Sequence, residues 1–229
     1  EVSGKGKGKI LIVEVSGLLS SSRPNGVVDR FFNRPSLPTR FKEELSKAAE
    51  DEKVKGVVLR INSPGGTVTA SDILHHEVLE FKKKRKIPVV ACIMDLGTSG
   101  GYYLAAASDQ IVAHPSAITG SLGVIMLTIN GSGLMEKIGL EAHTIKSGQH
   151  KDMGSPFRKM TAQDRAIFQS VIQSFYQQFL EIIEQGRPQL TKEKIRQLAD
   201  GRIYSAFQAK KAGLVDKVGY LDDAIAVAK

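Results

Sequence analysis

Apolar positions fall into short unbroken runs separated by amphipathic stretches, and the alternation of these two patterns predicts the element order. Ile10 to Val15 is an apolar run suited to a buried strand, and Phe41 to Val54 has helical spacing. Gly56 to Ile61 is β-branched and apolar and ends at Asn62-Ser63-Pro64-Gly65-Gly66, after which an amphipathic helix runs from Thr67 to about Arg85. Pro88 to Met94 repeats that plan, with a turn at Gly97 to Gly101 and a small-residue helix through Ala107. Further strands are predicted at Gln110 to Ala113, Val124 to Thr128 and Ala142 to Ile145, with a helix near Leu134 to Ile138.

From Thr161 to Gln185 apolar residues recur at Ile167, Phe168, Val171, Ile172, Phe175, Phe179, Ile182 and Ile183, the signature of one long amphipathic helix. Gly186 and Pro188 end it, and shorter helices follow near Lys192 to Ala199, Ala206 to Ala212 and Leu221 to Val227. Repeated strand and helix units imply an α/β fold with a largely parallel sheet, followed by the long helix and a helical C-terminal region. Residues 1–9, rich in Gly and Lys, read as a flexible lead-in, and Ser20 to Pro38 reads as a surface loop. Residues 10–229 are expected to form a single domain.

Composition narrows the function classes. One cysteine in 229 residues excludes an intrachain disulfide and any CxxC zinc or redox motif. Cys92, in an apolar run, reads as a small buried hydrophobe. No metal or cofactor is expected. A net charge of +8 suits an anionic partner without selecting one. The densest basic run, Lys82 to Lys86, ends a predicted helix, where cations complement the dipole, and reads as a solvated helix end. Basic residues are not interleaved with aromatics, so nucleic acid is not an expected partner. No stretch approaches the ~18 apolar residues of a membrane span. The chain begins at Glu1 without methionine, which suggests an excerpt or a processed product.

Two glycine-rich turns follow buried strands, and in a parallel sheet both lie at carboxyl ends, where sites form. Gly65 and Gly66 let backbone approach a substrate and aim an amide at an oxyanion. Ser99, in Thr98-Ser99-Gly100-Gly101, stands between strand and helix, with room for an acyl group beside Gly100. A P-loop is excluded because its Lys-Ser/Thr ending is missing. A serine nucleophile needs a base, yet His75, His76, His114 and His143 read as solvated or packed. His150 adjoins Lys151 in a polar, glycine-containing loop, but nothing in the pattern alone selects Lys151 from the other basic residues.

The segments Arg60-Ile61-Asn62-Ser63-Pro64-Gly65-Gly66, Gly97-Thr98-Ser99-Gly100-Gly101-Tyr102-Tyr103, Thr119-Gly120-Ser121-Leu122-Gly123-Val124 and Ser147-Gly148-Gln149-His150-Lys151-Asp152 together resemble the signal peptide peptidase A family, in its short single-domain form. The resemblance implies the Clp/crotonase-like fold of repeated β-β-α units and a serine endopeptidase without cofactor. It implies Ser99 as nucleophile, Lys151 as general base, Ser121 orienting the lysine, Gly66 and Gly100 as oxyanion donors, and Gly65-Gly66 pairing with substrate backbone. Remnant signal peptides as substrates, a homo-oligomer (an octamer) and an N-terminal membrane anchor on the extracytoplasmic side are implied in the same way. A lysine of ordinary pKa, ~10.4, is protonated at neutral pH and serves as a base only where water is excluded.

Relatives within the same fold offer two competing chemistries. A Clp-like enzyme needs a histidine at Ser99, with His114 or His143 as candidates, and a crotonase-like enzyme needs carboxylates and an acyl-CoA site. A scaffold without activity is a third reading, opposed by the intact Ser99 and Lys151.

Overall fold

The computed structural model describes residues 8–22 and 35–229. Residues 1–7 of the expected lead-in and 23–34 of the expected loop lie outside them. The chain divides into two compact units, one of residues up to Gly123 together with Phe179–Lys229, the other of Val124–Gln178.

In the first unit, strands β1 (Lys9–Ser16), β2 (Val54–Ser63), β3 (Val89–Thr98), β4 (Gln110–Ala113) and β7 (Lys217–Val218) lie side by side in the order β1-β2-β3-β4-β7, all parallel. The long β3 changes partners along its length. Val90 to Ile93 pair with β4, and Leu96 to Thr98 pair in parallel with β5 (Ile118–Gly120), which also carries β6 (Ile203–Ser205) antiparallel. Helices α1 (Leu37–Glu50), α2 (Val68–Lys84) and α3 (Gly100–Ala105) pack successively, α1 against β1 and α3 against β2 and β3. In one apolar cluster, Leu221, Ala224 and Ile225 of α8 (Leu221–Val227) meet Val58, Val90, Cys92 and Val112. The largely parallel α/β architecture agrees with the sequence reading. Cys92 is fully buried in that cluster, and desolvation pushes its thiol up to about 11.

Local chemistry explains several boundaries. Thr67 caps α2 by accepting from the Ala70 amide, Thr191 caps α6 (Lys192–Leu198) by accepting from the Lys194 amide, and Ser205 with Gln208 forms a capping box on α7 (Ala206–Ala212). The basic run at the end of α2 differs from a uniformly solvated end. Lys82 pairs with Asp109 at 2.7 Å, and half-buried Arg85 donates to the carbonyls of Ala48, Ala49, Asp51 and Val54. Arg85 thereby caps the C-terminal end of α1 and ties it to the start of β2.

His75, on α2, is 4% exposed and meets the Tyr103 ring edge-on at 5.3 Å. Burial lowers its pKa from 6.5 to about 4. The unfolded chain therefore takes up the proton first, and stability falls as the pH drops from 6.5 towards 4. His75→Phe is expected to remove up to ~3 kcal/mol of that acid sensitivity. Melting temperatures at pH 7 and pH 4.5 check this: an unchanged difference between the two would count against it.

The second unit holds α4 (Ser132–Lys137) and most of α5 (Ala162–Gly186), the long helix expected from the sequence. Two strand expectations are corrected here. Val124 to Thr128 and Ala142 to Ile145 are not strands, and Ile125, Leu127 and Ile145 are exposed. Their β-branched residues mimic a strand pattern, but a strand also needs a neighbour for its backbone groups, and none pairs with them among the described residues. His143, expected inside a strand, is an exposed residue beside Glu141. The short strands β5, β6 and β7 went unpredicted because two or three residues carry no readable period.

Candidate active site

The turn after β3 has an uncommon backbone. Ser99 has φ 51° and ψ −120°, a conformation that L-residues avoid, and it caps α3 without a side-chain cap bond. Such strain persists only where surrounding structure enforces it, and it accumulates at functional sites. The enforcement is visible: the Ser99 amide donates to Gly120 O at 2.8 Å, its carbonyl accepts from the Tyr103 amide at 2.9 Å, and all of α3 is buried. Tyr102 donates to Leu214 O at 2.7 Å, burial pushing its hydroxyl up to about 12, and Tyr103 donates to Asp72 at 2.7 Å. No described hydrogen bond occupies Ser99 Oγ. This strand, sharp turn and helix carry a serine hydroxyl at the carboxyl end of a sheet, the geometry of a nucleophile elbow.

Gly65 closes over that serine. Its φ is +99°, and a Cβ there would lie 2.7 Å from the Gly100 nitrogen and 2.9 Å from Ser99 Cβ. A Cβ on Gly100 would lie 2.1 Å from Ser71 Oγ and 3.3 Å from the Gly66 nitrogen, so the two amides are neighbours. No described hydrogen bond uses either N–H. The two turns are joined by Thr98, whose hydroxyl donates to Pro64 O at 3.0 Å. Ser63 Oγ accepts from the Gly65 amide and donates to Gly17 O. Leu19 sits between its neighbours' polar groups, its amide donating to Gly65 O and its carbonyl accepting from the Thr67 amide. Thr98, Ser63 and Leu19 were missed in the sequence, since nothing local distinguishes a turn hydroxyl that reaches another turn.

Ser121 also has φ 51° and directly follows β5, as Ser99 follows β3. Thr98 pairs with Gly120, so the two serines occupy equivalent positions past the ends of adjacent parallel strands. The Ser121 amide is held by Arg202 O at 2.7 Å.

Lys151 belongs to the second unit, on an exposed turn where its amide donates to Gly148 O at 3.1 Å. Its neighbours are tightly engaged. Asp152 accepts from Lys146 at 2.8 Å and Arg158 at 2.9 Å, and these contacts, Arg158's above all, hold its carboxyl well below the usual range. His150 Nδ1 lies 3.7 Å from Asp164. Among the described residues no histidine is hydrogen-bonded to Ser99: His114 pairs with Ser116 and meets Tyr220 edge-on, and His75 is packed on Tyr103.

Residues 81–229 match the model of peptidase family S49. The chain belongs to peptidase family S49. Ser99, Gly100, Ser121 and Lys151 fall inside the S49 match, while Gly65 and Gly66 precede it. A protein of Enterococcus faecium provisionally named signal peptide peptidase SppA is 38% identical over 97% of this chain and 63% of its own. One of Methanocaldococcus jannaschii, provisionally named protease MJ0651, is 44% identical over 79% of this chain and 57% of its own. The chloroplastic serine protease SPPA of Arabidopsis thaliana is 31% identical over 98% of this chain and 32% of its own. The chain thus spans about three fifths of the first two relatives and one third of the plant protein. S49 membership bears out the family resemblance, and S49 is a family of peptidases. Among the described residues no helix is long and apolar enough to cross a membrane.

Proposed function

We propose that this chain carries the catalytic apparatus of a serine endopeptidase in which Ser99 is the nucleophile and Lys151 the general base. The observation that carries the reading is the strained Ser99, φ 51°, beside the amides of Gly66 and Gly100, which enter no described hydrogen bond. Ser99 Oγ attacks the scissile carbonyl carbon while its proton passes to the neutral amine of Lys151. The carbonyl oxygen, now an oxyanion, accepts from the Gly66 and Gly100 amides. The tetrahedral species collapses, Lys151 returns the proton to the departing amine, and water then releases the acyl group by the same route. Ser121 orients the lysine amine, and Gly65-Gly66 backbone receives the extended substrate. The reading takes one residue from each unit and so treats residues 10–229 as one catalytic domain.

The neutral amine requires water to be displaced from Lys151, and substrate binding is the step that does so. The substrates we propose are remnant signal peptides, in keeping with the name of the Enterococcus relative. Action at the membrane, on its extracytoplasmic side through an N-terminal anchor outside these residues, and assembly into a homo-oligomer, an octamer, complete the proposal. A fluorophosphonate probe followed by peptide mass mapping tests the nucleophile. Label on Ser99 alone is expected, and label elsewhere with Ser99 unmodified would sink the assignment.

A further inference from the structure

The segment around Lys151 contains neither strand nor helix from Gly139 to Thr161, so its order must come from side chains. Single exposed ion pairs contribute too little to hold a loop against its conformational entropy. Here the charged groups form a chain instead. Lys146 donates to Gln149 O at 3.0 Å and to Asp152 at 2.8 Å, spanning Lys151 from both sides. Arg158 joins Asp152 Oδ1 through Nη2 to Asp164 Oδ2 through Nη1. Asp164 is only 2% exposed, lies in the first turn of α5, and also accepts from the Thr161 amide at 3.1 Å. Its other oxygen faces His150.

Asp152, the residue after Lys151, is therefore tethered through Arg158 to Asp164 at the start of the longest helix, and His150, the residue before it, lies with Nδ1 3.7 Å from the same carboxylate. The far end of the loop is held as well, by Asn130 donating to Arg158 O and the Gly131 amide donating to Pro156 O. Arg158 holds the carboxyls of Asp152 and Asp164 well below the usual range, so both stay ionised at any working pH.

We infer that Arg158, clamped between Asp152 and Asp164, is a positioning residue for Lys151, fixing the backbone that presents the amine. The inference rests on the reading of Lys151 as general base. A planar guanidinium donating to two carboxylates from separate nitrogens does what a lysine ammonium at the end of a flexible stem does poorly.

The test uses the full chain and a peptide ester. Arg158→Ala is expected to lower kcat by ~10²-fold, the scale of a small misplacement of a catalytic group, with KM within about twofold. Added guanidinium at sub-denaturing concentration is expected to restore at least a tenth of wild-type kcat, and Arg158→Lys to lie between the two. Asp164→Asn, which breaks the same clamp from the helix side, is expected to lose kcat without guanidinium rescue. If Arg158→Ala does not fold, Arg158→Lys and Asp164→Asn carry the test: wild-type kcat in both overturns the inference. So does a folded Arg158→Ala with wild-type kcat, or one whose loss guanidinium leaves unchanged. Lys151→Ala separates the two claims. If it retains turnover, the base assignment fails; if it is inactive while the clamp variants are normal, only the clamp fails.

Discussion

Ser99→Ala is expected to reduce hydrolysis of a peptide ester by at least ~10⁴-fold while the melting temperature stays within a few degrees. The alanine keeps the backbone in its strained turn, where the Ser99 amide and carbonyl are bonded to Gly120 and Tyr103, and removes only the attacking oxygen. Lys151→Ala is expected to fall to a comparable residual rate, since members of a catalytic unit lose their effects together and the double variant adds little further. Lys151 is exposed and its side chain takes part in no described hydrogen bond, so a folding defect would not account for the loss. Stopped assays of the two single variants and the double variant decide the matter. A Lys151 variant with wild-type turnover at neutral pH would rule out the dyad, and losses that multiply in the double variant would show independent roles.

Gly65→Ala is expected to give the second largest effect, for a different reason. At φ +99° the added methyl carries backbone strain, and it would press on the Gly100 nitrogen at 2.7 Å and Ser99 Cβ at 2.9 Å. Strain and overpacking together are expected to cost ~2–4 kcal/mol of stability. The displacement falls on the nucleophile and on an oxyanion donor at once, so kcat is expected to drop by ~10²-fold or more. Gly139→Ala is the matched control. Its φ is +71° and nothing lies within 4 Å, so only the strain cost remains, roughly 1 kcal/mol, with activity retained. Denaturant titration and turnover measured on both variants separate the terms. Equal activity in the two would show that closure of Gly65 over Ser99 plays no part in catalysis.

The longer strands and helices of the first unit were legible because each announces itself locally. Gly56 to Ile61 is apolar apart from Arg60, whose guanidinium pairs with Glu14, because this stretch of β2 is buried, and Thr98-Ser99-Gly100-Gly101 breaks the pattern where β3 meets α3. Such local signals fail where the partner is remote. Val124 to Thr128 and Ala142 to Ile145 have the residues of strands but pair with no neighbour among the described residues, whereas Ile118–Gly120 is a strand of three residues whose existence depends on β3 and β6.

The candidate site divides along the same line. The serine in a strand-to-helix turn, the glycines able to approach it and the long helix after the lysine loop are properties of the sequence, because periodicity and turn chemistry act over a few residues. Lys151 was reached by resemblance, its polar loop having no period to read. Only the tertiary structure decided that Gly65 packs on Ser99, that Thr98 and Leu19 tie the turns together, that Ser121 repeats the positive φ of Ser99 on the next strand, and that Arg158 and Asp164 brace the lysine loop. The first three depend on close approaches between residues remote in sequence, and the last on which carboxylate the folded loop brings within reach of a guanidinium.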